Sequence, residues 1–124
     1  MAAMTETADL TATEALAAIR AGRLAPTDYI EACLDRIAAR EGVINAFAWF
    51  DAAAVRRAAA AGGDGPLSGM PFGVKDVIDT ADMPSQYGSP IWAGHRPRSD
   101  AACVAAARRA GAIVMGKTVT TEFA

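Results

Sequence analysis

The chain has 124 residues with a net charge of −2, and just over half of its residues are hydrophobic. This length and composition suit one globular domain with a buried core. The near-neutral charge argues against a nucleic-acid partner, because nucleic-acid-binding proteins cluster basic residues on one surface.

The start of the chain and its cysteines bear on its location. Residues 1–10 carry acidic side chains and lack a basic start followed by an apolar run, so we expect no signal peptide. No stretch approaches the ~18 apolar residues of a membrane helix. Cys33 and Cys103 lie far apart in helical patterns and fit reduced core thiols. These features predict a cytoplasmic protein without a membrane partner.

The first half of the chain predicts two helices. Residues 11–14 have the Thr-x-x-Glu spacing of a capping box, and Gly22 marks the end of that helix. Pro26 suits the first turn of a second helix, which we expect to end at Gly42. Its buried face is predicted by an i, i+3, i+4, i+7 pattern of apolar residues, namely Ile30, Cys33, Leu34 and Ile37.

An α/β layout follows from the next segments, in which short apolar strands alternate with helices. We predict a buried strand at 46–50, a helix capped by Asp51, and a loop at 62–69. A strand at 72–74 then delivers Lys75 at its end. The remaining predictions are a long ordered loop at 79–98, a helix that begins at Ser99 and Asp100 and ends at Gly111, and a strand at 112–115. The arginine pairs Arg56–Arg57 and Arg108–Arg109 are expected on solvated helix faces.

Lys75 is the residue that most invites a chemical interpretation. The chain has two lysines, Lys75 and Lys117, among twelve basic residues, so arginine is its usual positive charge. A lysine can lose its proton when it is desolvated, whereas an arginine effectively cannot. A lysine at the end of an apolar strand is therefore a candidate base, although from these residues alone a surface ion pair with Asp76 is the favoured explanation.

Residues 66–76 read Pro-Leu-Ser-Gly-Met-Pro-Phe-Gly-Val-Lys-Asp and resemble the lysine motif of the amidase signature family. The resemblance continues in order through residues 77–80, 83–85, 88–89, 98–101, 111–118 and 122–124. It covers residues 66–124 strongly and the first half of the chain more loosely. The run from residue 73 to residue 124 is most similar to malonamidase-like members, which act on small acid amides.

The resemblance implies the N-terminal part of an amidase-signature α/β fold, with helices packed around a mixed β-sheet. It divides the chain into a helical segment at 1–65 and the start of the α/β core at 66–124. It also implies amide hydrolysis by a Ser–cis-Ser–Lys triad without metal or cofactor, and it places the lysine of that triad at Lys75. The implied partners are a small amide substrate and the C-terminal remainder of the same enzyme, with a homodimer left open.

One departure from the family pattern bears on activity. In the family, the Gly/Ser-rich segment that carries both serines lies downstream of the Glu-Phe-Ala stretch, which here is residues 122–124. The sequence contains no Gly-Gly-Ser-Ser run. We therefore expect this chain to hold the base without the nucleophile and to be inactive alone. A non-catalytic interaction or scaffold piece is the alternative hypothesis.

Competing motifs predict other sites. Residues 111–118 satisfy the P-loop pattern, but their apolar, β-branched middle predicts a strand followed by an ordinary Lys117, so phosphate binding is the weaker hypothesis. His95 has no Cys or His at a metal-ligand spacing and is expected at the surface. Asp79 and Asp82 could form a metal or acid pair, yet a solvated loop explains them better. Ser68 replaces the third glycine of a dinucleotide-binding fingerprint.

Overall fold

The architecture is a three-stranded mixed sheet with helices on both faces, as seen in a computed structural model that describes residues 7–124. This confirms the predicted α/β class. Within the described residues, no helix has the length and apolar character required to cross a bilayer. The elements are α1 (Ala12–Arg20), α2 (Pro26–Ile44), β1 (Phe47–Phe50), α3 (Ala52–Ala61), β2 (Pro71–Lys75), a 3₁₀ turn (Pro90–Trp92), α4 (Ala102–Arg109) and β3 (Ile113–Thr118).

The sheet has the order β1-β3-β2, so the last strand along the chain is central. β2 pairs with β3 in parallel, and β1 pairs with β3 antiparallel. The parallel pair has a register irregularity between Phe72 and Gly73. The predicted buried strand at 46–50 is wrong in one respect: β1 is an edge strand, and its residues are half-buried or exposed.

Two apolar clusters cover the two faces of the sheet. On one face, α2 and α3 pack on β3 through Ile30, Leu34, Val55, Ala59, Ile113 and Met115. On the other face, α4 and the 79–98 loop pack through Val74, Met83, Val104 and Val114. Because β3 contributes to both clusters, most of its side chains are buried. The division of the chain at residue 65 stays a prediction.

Local sequence signals position the helix starts. The Thr11 hydroxyl accepts a hydrogen bond from the Glu14 backbone N–H, and the Glu14 carboxylate accepts one from the Thr11 backbone N–H at 2.9 Å. The capping box is thus confirmed, and Pro26 lies at the start of α2 as predicted. The Asp51 carboxylate accepts hydrogen bonds from the backbone N–H groups of Ala53 and Ala54, which caps α3.

Two predicted helix boundaries are wrong, namely the last residue of α2 and the first residue of α4. α2 does not stop at Gly42 but continues to Ile44, and Asn45 ends it in the left-handed conformation with φ 52°. α4 does not begin at Ser99 and Asp100 but at Ala102. The Asp100 carboxylate is engaged elsewhere, because it accepts a hydrogen bond from the Ala81 backbone N–H at 2.8 Å.

The cysteine and arginine predictions hold only in part. Both cysteines are free thiols, but Cys103 is exposed and not a core residue. Cys33 is half-buried, and burial raises the pKa of its thiol. Three of the four paired arginines are exposed as expected. Arg108 is the exception, since it is half-buried between two carboxylates, Asp82 at 2.7 Å and Asp100 at 3.1 Å.

Candidate active site

Lys75 is the last residue of β2, and its side chain is exposed while those of Val74 and Asp76 on either side are buried. Its backbone is held firmly. The Lys75 carbonyl accepts a hydrogen bond from the Ile78 N–H at 2.8 Å, and the next peptide N–H, of Asp76, donates to the Thr118 carbonyl at 2.9 Å. Among the described residues, the Lys75 ammonium group has no hydrogen-bond or ion-pair partner. The strand therefore presents a free amine on a fixed backbone.

The surface beside Lys75 is formed by Gly73 and by Thr118 of the neighbouring strand. Side chains alternate along a strand, so Lys75 and Gly73 share one face of β2. In the ladder, Lys75 pairs with Thr118 of β3. A Cβ atom at Gly73 would lie 2.8 Å from the Thr118 Cγ2 atom, so any side chain there would crowd Thr118. The Thr118 methyl group therefore fills the place that a side chain at Gly73 would take.

Asp76 lies on the opposite face and is 1% exposed. Its carboxylate accepts a hydrogen bond from the Gln86 backbone N–H at 3.2 Å, and its carbonyl accepts one from the Tyr87 N–H at 2.9 Å. The Asp76 Oδ1 atom lies 3.3 Å from the Lys117 Nζ atom. A surface ion pair between Lys75 and Asp76 is therefore not what the structure shows: the carboxylate pairs with the other lysine.

Lys117 is fully buried, which corrects the expectation of an ordinary lysine beyond the strand. It lies within β3, where it pairs with Val74 in the ladder. Its ammonium group contacts the Ser85 hydroxyl at 2.5 Å and the Pro84 carbonyl at 3.3 Å in addition to Asp76. Burial lowers the pKa of Lys117, and the Asp76 carboxylate opposes that shift.

The 79–98 loop packs on the end of β2. The Tyr87 hydroxyl donates to the Asp79 carboxylate at 2.5 Å, and this bond together with burial raises the pKa of Tyr87 to about 12. The Tyr87 ring meets Trp92 edge-to-face with centroids 5.5 Å apart. His95 is half-buried against Trp92, with ring centroids 4.9 Å apart, and is not a free surface histidine.

The other candidate sites have structural roles. Asp79 is engaged by Tyr87, and Asp82 by Arg108, so the two carboxylates do not form a pair aimed at one point. Among the described residues, no group of three or more potential metal ligands is brought together. Ser68, from the rejected dinucleotide motif, donates its hydroxyl to the Gly63 carbonyl.

The P-loop interpretation of residues 111–118 is wrong, because residues 113–118 form β3 and the helix precedes that strand. The second glycine of the pattern, Gly116, serves packing. A Cβ atom there would lie 2.7 Å from the Trp49 carbonyl oxygen. The backbone groups that would cradle a phosphate are used in the sheet.

Comparison with known proteins decides the family. The profile of the Amidase family matches residues 28–124. The chain belongs to this family. The recognition made on the motif around Lys75 is thus confirmed, while the narrower likeness to malonamidase-like members stays a prediction.

Curated relatives match this amidase-family chain over nearly its whole length. A glutamyl-tRNA(Gln) amidotransferase subunit of Chloroflexus aurantiacus is 41% identical, with 98% of this chain and 26% of that protein aligned. The protein of the same name from Thermobifida fusca has the same identity and coverage. The chain spans about a quarter of the length of these relatives.

Solved structures agree with the fold. A peptide amidase from Stenotrophomonas maltophilia matches with a TM-score of 0.75 and 35% identity, covering 92% of this chain and 25% of that one. A 6-aminohexanoate cyclic dimer hydrolase matches with a TM-score of 0.82 and 29% identity, covering 92% and 24%. The described residues thus have the same fold as about one quarter of the length of each of these larger enzymes.

Sequence reasoning missed the buried network of Lys117, Asp76 and Ser85. One signal was available, since Lys117 is the second of only two lysines in a chain that otherwise uses arginine. Its partners lie more than thirty residues away along the chain. The apolar residues that precede Lys117 in β3 could have indicated that Lys117 is buried. They could not indicate which groups neutralise its charge.

Proposed function

We propose that this chain contributes the lysine base of an amidase that hydrolyses C–N bonds of amides. Family membership supports the reaction class, and the geometry supports the residue. Lys75 ends an ordered strand, and its amine has no partner among the described residues. The free amine of Lys75 at the strand end is the single observation that carries the proposal.

The chemistry requires Lys75 to be neutral when it acts. Its Nζ atom takes a proton from a bridging serine, which takes the proton of a nucleophilic serine as that oxygen attacks the amide carbon. Backbone N–H groups stabilise the oxyanion of the tetrahedral intermediate. The relay then returns the proton to the leaving nitrogen, the C–N bond breaks, and water releases the acid from the acyl-serine. Both serines are expected in the remainder of the enzyme.

Two substrate classes are consistent with the family. The sequence resemblance favours a small acid amide that is hydrolysed directly. The 41% identity to a glutamyl-tRNA(Gln) amidotransferase subunit favours a second candidate, in which the released nitrogen is passed to an acyl-tRNA within a multi-subunit enzyme. Either enzyme would act in the cytoplasm, as the free thiols suggest.

The first test replaces Lys75 in the whole protein. Lys75→Ala removes the base, and Lys75→Arg keeps the charge but cannot deprotonate. We expect both to lower kcat for amide hydrolysis by about 10²–10⁴-fold. Because the side chain is exposed and unpaired among the described residues, the melting temperature is expected to stay near that of the wild type.

The matched control is Arg109→Ala, which removes an exposed charge at the end of α4. This variant should leave both kcat and the melting temperature unchanged. Near-normal turnover by Lys75→Ala would exclude Lys75 as the base. Ammonia release from a small amide, measured with and without glutamyl-tRNA, separates the two substrate classes. Hydrolysis that needs the tRNA favours the second.

A further inference from the structure

We propose that Lys117 is a positioning residue for Lys75: its buried ammonium group joins three separate segments and fixes the end of β2. The inference rests on the proposed function, since it assigns Lys75 the role of base. Lys117 belongs to β3, Asp76 follows β2, and Pro84 and Ser85 belong to the 79–98 loop.

The ammonium group of Lys117 is fully satisfied. A lysine has three N–H donors and no acceptor. The structure offers three acceptors, namely the Ser85 hydroxyl at 2.5 Å, the Pro84 carbonyl at 3.3 Å and the Asp76 carboxylate at 3.3 Å. Satisfied donors and a counter-ion are what allow a charge to be buried. The remaining carboxylates that act on this group are Asp79 and Asp82.

A Ser–Lys contact of this length could suggest a second catalytic dyad, but burial excludes that role. Both Ser85 and Lys117 are 0% exposed, so no substrate reaches them. The Ser85 hydroxyl is also engaged, since it donates to the Ile78 carbonyl at 3.4 Å and accepts from the Thr80 N–H at 3.3 Å. The network therefore acts on the structure around it.

The route from Lys117 to Lys75 is short. Asp76, the direct chain neighbour of Lys75, is held at its Oδ1 atom by both Lys117 and the Gln86 N–H. The side chains of Lys75 and Asp76 leave the strand on opposite faces. A shift of the Asp76 carboxylate consequently turns the backbone from which Lys75 projects.

Removal of Lys117 leaves an unpaired buried charge on Asp76, whose remaining carboxylate partner is the Gln86 N–H. That carboxylate must then take up a proton or turn towards water, and either change displaces the strand end. A displacement of 1 Å at a catalytic group can reduce turnover by about 10²-fold. The buried Lys117 thereby controls the position of the exposed Lys75.

The experiment compares Lys117→Met, Asp76→Asn and the double variant in the whole protein. Three readouts are measured: kcat and KM for an amide, the melting temperature, and the pH dependence of Lys75 acetylation by acetic anhydride, followed by peptide mass spectrometry. The last reports the titration of Lys75 without turnover. The double variant removes both charges, so it is expected to fold even where Lys117→Met does not.

For Lys117→Met, we expect kcat to fall by about 10²-fold with KM changed less than about threefold. The pH dependence of Lys75 acetylation is expected to differ from that of the wild type in both single variants, because each leaves one member of the buried pair beside the strand end without its counter-charge. In the double variant, the titration and the melting temperature return towards wild type while kcat stays about tenfold low or lower.

A double variant with full kcat, or single variants with an unmoved Lys75 titration, would overturn the positioning role. Failure of the proposed function has a different signature. In that case the wild type hydrolyses no amide, or Lys75→Ala retains turnover, while the acetylation series still shows whether Lys117 acts on Lys75.

Discussion

Gly116 lies where β3 passes close to β1. A Cβ atom at this position would be 2.7 Å from the Trp49 carbonyl oxygen and 2.9 Å from the Phe47 ring. Backbone of a paired strand cannot move aside easily, so we expect Gly116→Ala to lower the free energy of unfolding by about 1–3 kcal/mol. Urea denaturation measures it.

Gly42 provides the matched control for that substitution. It lies inside α2, has no atom within 4 Å of a built Cβ, and has an ordinary helical backbone. Gly42→Ala should therefore raise the free energy of unfolding by about 0.5–1 kcal/mol. A loss of stability in both variants would show that glycine replacement in general is responsible, and not the close approach of Trp49.

Tyr87 gives the protein a pH dependence on the alkaline side. Its pKa is raised from 10.0 to about 12, first by the hydrogen bond to Asp79. A group with a raised folded pKa contributes stability below its unfolded pKa and loses it as the pH rises towards the folded value. We expect the stability difference between wild type and Tyr87→Phe to be constant below pH 10 and to shrink between pH 10 and about 12.

Thermal melts of the two proteins across that range measure the difference. Absorbance of the phenolate near 295 nm provides a separate check, because the wild-type minus Tyr87→Phe signal should stay small at pH 10. A difference signal that already rises at the ordinary tyrosine pKa would contradict the bond to Asp79 as the cause.

At the residue scale, the sequence singles out Lys75 as a candidate base, which stays a prediction, and it missed the burial of Lys117. Lys75 belongs to a contiguous motif, so its position could be inferred from its neighbours in the chain. Lys117 depends on Asp76, Pro84 and Ser85, which meet it only after the sheet and the loop have formed. A buried charge is defined by its partners, and those partners are distant in sequence.

At the scale of the elements, local capping decides where helices begin. Thr11 and Glu14 exchange hydrogen bonds at the start of α1. Thr11→Ala removes the hydroxyl that accepts the Glu14 N–H, and we expect a loss of about 1 kcal/mol in the free energy of unfolding. Thr13→Ala, an exposed position within the same turn, is the control and should be close to neutral. Equal losses in both would argue against the cap.

The end of α2 was predicted less well than its start. Gly42 reads as a stop, yet α2 continues because the apolar contacts of its buried face outweigh one glycine. The end is set by Asn45, whose N–H donates to the Glu41 carbonyl at 2.9 Å. The Glu41 carboxylate then accepts the Phe47 N–H at 2.8 Å and leads the chain into β1. These contacts depend on where the next strand lies.

At the scale of the whole molecule, α2 supplies the core that joins helices to sheet. Leu34 is 3% exposed and packs in the cluster with Val55 and Met115. Leu34→Ala is expected to cost about 2–5 kcal/mol, because it removes apolar contacts and leaves a cavity. Val43, 87% exposed on the same helix, is the control, and Val43→Ala should change the stability by less than about 0.5 kcal/mol.

The sheet order was beyond sequence reasoning. The strands themselves follow from short apolar runs between turns, and their number and approximate bounds were predicted. The order of the strands in the sheet was not predicted, because β1 pairs with β3 across more than sixty residues of chain. β2 lies between β1 and β3 in the sequence, but in the sheet it lies at the edge on the far side of β3. Such pairing is fixed by the shared apolar clusters on both faces.

The irregular pairing of β2 with β3 separates the two amines. Phe72 pairs with Val114, but Gly73 pairs with Gly116, so Met115 is an extra residue on β3. With uninterrupted pairing, Lys75 would stand directly beside Lys117 at the ~4.8 Å spacing of adjacent strands, and two like charges would repel there. One additional methionine thus sends one amine outward and the other inward, and it keeps the two lysines from competing for a single counter-ion.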